Sequence, residues 1–265
     1  DGAVGATGTA TSLAGIPFFQ GDTGSIYTHD VSGTDSTATY NTAYGLTALD
    51  AVTTADYNVA IGYGAGGAIT TSGYNTFVGA NAGLVHTTLD GGAINTGIGY
   101  GALTALTTGG ENVALGGNAG AGLTTAEHTV FIGHNAGDGH DAENDNIGIG
   151  KDALGGAVAG GEYNVAIGNG ALATNTSGDY TVAIGYEAST NSTSPGGSIL
   201  IGYQAGHGIT TGGGHVFIGE LAGDNFDTEN WNVGIGKNSL GGPIAGGEYN
   251  VAIGRDTLGA LTSGD

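Results

Sequence analysis

The chain of 265 residues has no cysteine and no methionine, only three prolines, and only three basic residues. Without cysteine there is no disulfide staple, a composition that suits an extracellular fibre without proving one. Three Lys and Arg stand against 24 Asp and Glu, a formal net charge of −21. Nothing could neutralise phosphates, so nucleic acid and anionic membrane surfaces are excluded as partners. An acidic shell fits a salty or calcium-containing exterior. Long hydrophobic runs are also missing, so no segment is expected to insert in a membrane, and no signal peptide is visible. The chain opens at Asp1 and stops inside a repeat at Leu261-Thr-Ser-Gly-Asp265, as expected of a processed or truncated piece of a longer polypeptide. Charged residues make up 10% and hydrophobic ones 39%, too little charge and too much Val and Ile for a disordered linker.

What is abundant is glycine, 58 residues of it, and it is periodic. Thirteen glycines (Gly45, Gly62, Gly79, Gly99, Gly116, Gly133, Gly150, Gly168, Gly185, Gly202, Gly219, Gly236 and Gly254) recur mostly at 17 or 18 residues, with one interval of 20. Each closes a short β-type run such as Tyr57-Asn-Val-Ala-Ile-Gly62 or Tyr163-Asn-Val-Ala-Ile-Gly168. A period this short means a solenoid, in which each repeat contacts its neighbours. The expected fold is all-β: a parallel β-solenoid of about 13 coils over residues 40–265, behind a connector and irregular capping coil over 1–39. At about 4.8 Å per coil the body would be on the order of 60 Å long.

With the recurring glycine as position zero, positions −1 and −3 are mostly Ile and Val and share one face of a strand. That face is the expected interior. Position −2 runs through Ala60, Phe77, Gly97 and again Ala114, Phe131, Gly148, while +4 switches between Leu49, Gly66, Gly83 and Leu103. A bulky residue on one strand is expected to fill space left by a glycine on another. A coil of 17 residues has little core of its own; the economical solution is a cyclic assembly of identical chains that buries this small-residue face. Position −4 is Asn in nine coils, including Asn58, Asn75, Asn112, Asn164 and Asn250; stacked Asn side chains can bond one another in a ladder. Thr pairs such as Thr53-Thr54 and Thr107-Thr108 mark the return turn. The corner glycines are expected to need positive φ.

No catalytic signature is present: no Gly-x-Ser-x-Gly elbow and no phosphate loop leading into a helix. The chain is expected not to be an enzyme. Two acidic loops 86 residues apart, Asp138, Asp141, Glu143 and Asp145 and then Asp224, Asp227 and Glu229, are the calcium candidates, since hard cations favour clustered carboxylates in flexible turns. The aromatic column at −5 (Tyr57, Tyr74, Tyr163, Tyr180, Trp231 and Tyr249) is the glycan-binding candidate, with a ladder of stacked rings as the structural alternative. Lys151, Lys237 and Arg255 all occupy +1, a position expected to pair with acids on a neighbouring coil.

The repeated Asn-Val-Ala-Ile-Gly, followed by x-x-Ala-Leu or x-x-Ala-Gly and then Thr-Ser-Gly, resembles the YadA-like head repeat of trimeric autotransporter adhesins and the shaft of bacteriophage tail fibres. The usual adhesin repeat is shorter, which favours the tail-fibre type. The resemblance implies a left-handed roll, a homotrimer and an extracellular, cell-surface or virion location, with host-surface glycan or another receptor as partner. Two rivals stand beside it: a filament subunit stacking end to end, and an ice-binding solenoid using the Thr pairs, the latter weakened because adjacent strand residues point to opposite faces.

Overall fold

A computed structural model describes residues 11–13, 16–20, 25–28, 37–87, 93–156, 161–242 and 247–259. Much of the expected connector over 1–39, residues 88–92, the middles of the loops after Gly155 and Gly241 and the end of the chain from 260 lie outside these residues. The described chain is all β, in two compact units, Asp1–Thr129 and Val130–Asp265.

The first unit begins with β1 (Thr11–Leu13) and β2 (Ile16–Gln20), an antiparallel pair, and β2 runs antiparallel to β3 (Ile26–Tyr27). From β3 onward every pairing is parallel: β4 (Thr42–Tyr44), β5 (Val59–Ile61), β6 (Thr76–Val78), β7 (Thr96–Ile98) and β8 (Val113–Leu115) follow in sequence order. The second unit repeats the plan with β9 (Val130–Ile132), β10 (Ile147–Ile149), β11 (Val165–Ile167), β12 (Val182–Ile184), β13 (Ile199–Ile201), β14 (Val216–Ile218), β15 (Val233–Ile235) and β16 (Val251–Ile253). Register is in step throughout, Val165 on Val182 and Ile167 on Ile184. Each unit is a parallel β-solenoid, one strand per coil.

The recurring glycine stands at φ between +125° and +143°. There is no space for a side chain: a Cβ on Gly150 would come within 2.6 Å of the Gly168 carbonyl carbon in the next coil. Three further corners per coil are left-handed, at +2, +4 and −5, and most are not glycine. Leu103, Leu154 and Leu172 (+4) lie at φ 54°, 52° and 51°, and Tyr57, Tyr163 and Tyr180 (−5) at 61°, 58° and 55°.

The interior is the reverse of the expected one. Ala60, Phe77, Ala114, Phe131 and Leu200 at −2 are fully buried, as are the Ala residues at +3 and Leu at +4 in every coil but the last, where Leu258 is exposed. The flanking Val and Ile at −1 and −3 point outward; Ile61, Ile98 and Ile199 are 38%, 40% and 40% exposed. The reason is thickness. A 17-residue coil closes around a channel that alanine nearly fills, so the β-branched rows have to go outside. The small-residue face is packed within the chain and is not left over for a partner. The expected filling of glycine gaps does occur. The Phe131 ring occupies the places where Gly137 in its own coil and Gly148 in the next would carry a Cβ, at 2.5 and 2.9 Å. Phe77 with Gly83 and Gly97 repeats the arrangement.

Candidate functional site

The Asn column lines the buried corner beside the core. Asn58 Nδ2 and its backbone N–H donate to Asn41 Oδ1 (3.2 and 2.9 Å), and Asn75 does the same to Asn58 (3.1 and 2.9 Å). Asn112 N–H donates to Asn95 Oδ1 at 3.1 Å, Asn164 N–H to Asn146 Oδ1 at 3.0 Å, and Asn250 Nδ2 to Asn232 Oδ1 at 3.1 Å. Across the coil, Asn164 Nδ2 reaches the Gly178 carbonyl at 2.8 Å. The ladder thus ties strand to return turn within a coil and coil to coil, and satisfies its buried polar atoms.

The aromatic column stands on the solvated corner. Tyr40, Tyr57 and Tyr74 stack with centroids 4.9 and 5.0 Å apart, and Tyr163 stacks on Tyr180 at 5.1 Å. Left-handed φ at −5 is what turns these rings outward. Faces inside a stack are taken by other rings, so only edges and end faces meet solvent. At +1, past the other end of the strand, Tyr186 and Tyr203 form a further stack, 5.5 Å apart.

The two acidic loops are built alike. Glu143 Oε2 accepts from the Asp141 and Ala142 amides (2.8 and 3.2 Å), and Glu229 Oε2 from those of Asp227 and Thr228 (2.9 and 3.1 Å). Both Glu are buried and bind their own turn. Asp138 lies instead toward Asp152, and burial first and that carboxylate second raise its pKa. Asp224 lines a recess of about 290 Å³ with Asn238, Gly241, Asp256 and Gly259; burial raises its pKa. Asp145 makes Tyr163 harder to ionise. Among the described residues no three His, Asp or Glu side chains come together as a metal-holding group. Of the bases at +1, Lys237 pairs across coils with Glu220 at 2.7 Å, whereas Lys151 and Arg255 pair with the adjacent Asp152 and Asp256. The Thr hydroxyls at the return turn point into the stack: Thr53 Oγ1 donates to the Thr70 carbonyl at 2.9 Å and Thr193 Oγ1 to that of Thr210 at 3.0 Å.

Sequence reasoning missed the histidines. His86 and His140 share position +7, each against the Phe at −2 of its own coil (Phe77 and Phe131, 6.0 and 5.2 Å). His215 lies at −4, stacked on Phe217 at 4.7 Å, its Nε2 2.9 Å from the Glu229 carbonyl. The signal was available: +7 is apolar in most coils, as at Ile69, Leu106 and Phe226. Burial lowers all three pKa values from 6.5 to about 4. The folded state therefore holds them neutral. Their stabilising effect is complete above pH 6.5, falls as the unfolded chain protonates below that, and is fully lost near pH 4. Each histidine contributes about 3 kcal/mol to that loss. The Tm should fall between pH 6.5 and 4, and His140→Phe, which copies Phe226, should flatten the slope. Comparing the two chains cancels the carboxylate titration they share.

The fold and its ladders define a parallel β-solenoid repeat protein. Comparison with protein-family models, curated proteins and solved structures finds no match for this chain. Among the described residues no helix is long and apolar enough to cross a membrane.

Proposed function

We propose that the chain is the shaft of an extracellular homotrimeric fibre of the tail-fibre or adhesin kind, a structural rod that holds a recognition surface away from its base. No catalytic role is proposed for it. The observation that carries this reading is the outward face of the sheet. In the second unit all eight strands present an aliphatic pair, from Val130 and Ile132 to Val251 and Ile253, and none of these side chains is buried. At the usual strand spacing and rise, this strip covers roughly 400 Å². It carries no charge on a chain of net charge −21, and an apolar patch of that size, comparable to the largest on a typical monomer, is often functional. A closed assembly about a long axis would cover it, and the resemblance of the repeats to trimeric fibres supplies the number three. Light scattering at several concentrations tests the reading. A fixed mass of about three 25.6 kDa chains supports it. A monomer overturns it, and a mass that grows with concentration replaces it with the filament.

A further inference from the structure

We propose that the solvated corner between Tyr180 and Trp231 is a binding slot for one neutral pyranose ring of an oligosaccharide. The −5 column runs Tyr163, Tyr180, Gly197, Gly214, Trp231, and the preceding −6 residues at the two middle levels are also glycine, Gly196 and Gly213. The corner thus carries no side chain of its own for two consecutive coils. Tyr180 stacks on Tyr163 with one face; its other face looks onto Gly197, where a Cβ would meet nothing within 4 Å. At the upper level the gap is closed by Trp231, whose ring leans over Gly214 with Cδ2 2.7 Å from where a Cβ would stand. Two strand spacings, roughly 10 Å, then separate the facing rings, room for one six-membered ring stacked between them. Tyr180 and Trp231 are 66% and 59% exposed, so entry is from solvent.

The chemistry of the rim selects the occupant. Asp179 and Asn230 stand beside the two aromatic residues, Asp179 Oδ1 accepting the Glu162 amide at 2.9 Å and Asn230 Nδ2 donating to Glu248 at 3.1 Å. The Asp179 carboxylate beside Tyr180 and the Glu248 carboxylate, held on Asn230 from the coil beyond Trp231, repel a nucleotide or any other anionic ring, while sugar hydroxyls find acceptors there and the C–H faces of a pyranose pack on the two π faces. The slot gives the attachment reading a place on the chain, yet it is tested apart from it: oligomer mass reports on the rod, and ligand titration reports on the slot.

Trp231 is the chain's single tryptophan, so its emission reads the slot directly. The intact chain is titrated with cellotetraose, maltotetraose and chitotetraose up to millimolar concentration. The expected result is a saturable change in emission with at least one of them. Gly197→Tyr should abolish it while leaving the circular dichroism unchanged, because Tyr already occupies the equivalent left-handed corner at Tyr163 and Tyr180. Tyr180→Ala should weaken binding by about tenfold. The proposal is overturned if none of the three sugars moves the emission, if Gly197→Tyr binds as well as the parent, or if the emission follows protein concentration instead of sugar.

Discussion

Gly168→Val breaks the second unit at its third strand: the expected result is a chain that expresses poorly or melts far below the parent. Two independent constraints meet at this residue. Its φ of +136° lies in the mirror of the β region, open to glycine and strained for a β-branched side chain. Even with that strain, the Cβ would fall 2.6 Å from the Gly185 carbonyl carbon, a backbone atom with nowhere to go. The Gly168 N–H also donates to the Ile149 carbonyl at 2.7 Å, so shifting the corner loosens the ladder below as well as above. A loss above about 4 kcal/mol is expected from strain and clash together. Gly170→Asn is the control. Position +2 is already Asn at Asn81, Asn118 and Asn238, all with φ between 53° and 60°, and a Cβ on Gly170 meets its nearest atom at 3.5 Å. Thermal melts followed by circular dichroism should separate the two. Equal melting of Gly168→Val and the parent would show that the glycine column is not a steric necessity.

The second large effect is on assembly. Ile167→Lys with Ile184→Lys places two amines on adjacent strands of the outward face, in register. In a single chain both positions are partly exposed and the ammonium groups stay hydrated. In an assembly that covers the strip they would be desolvated without partners, at a cost of several kcal/mol each. The double variant should therefore keep its β spectrum and lose its oligomer, with an apparent association constant reduced more than about a thousandfold. An unchanged mass by light scattering would move the interface elsewhere on the coil. The pairing of outcomes matters, since Gly168→Val attacks the coil and the lysine pair attacks only what the coil presents.

Much of this architecture is legible in the sequence because a solenoid writes each structural job at a fixed offset. Asn at −4 reads as a ladder since a stacked amide has one obvious partner, and the Phe131, Gly137, Gly148 set reads as space-filling since bulk at one offset answers absence at another. The direction of the faces is not legible. A period of two says that Val165 and Ile167 share a side and Ala166 takes the other, but both sides are apolar. The usual weighting puts β-branched residues inside; the width of a 17-residue coil reverses it. Nor do Leu154 or Tyr163 announce a positive φ, because neither residue favours it and only the closure of the coil imposes it. At the candidate site the aromatic column was visible as a column, while its vacancy was not. Gly197 and Gly214 look like ordinary turn glycines until Trp231 is found lying over one of them.

Those left-handed corners set how the chain can come to fold. Twenty-eight described residues other than glycine have positive φ, each unfavourable by roughly 1 kcal/mol or more in a free chain. A lone coil thus begins in deficit, with one to three such corners and a single three-residue strand to set against them. A coil laid on a finished neighbour gains the strand pairing, the Asn bonds and the ring stacking at once. The energy landscape is that of a crystal growing in one dimension: nucleation is the rare event, and each layer added lowers the barrier for its successor by serving as its template.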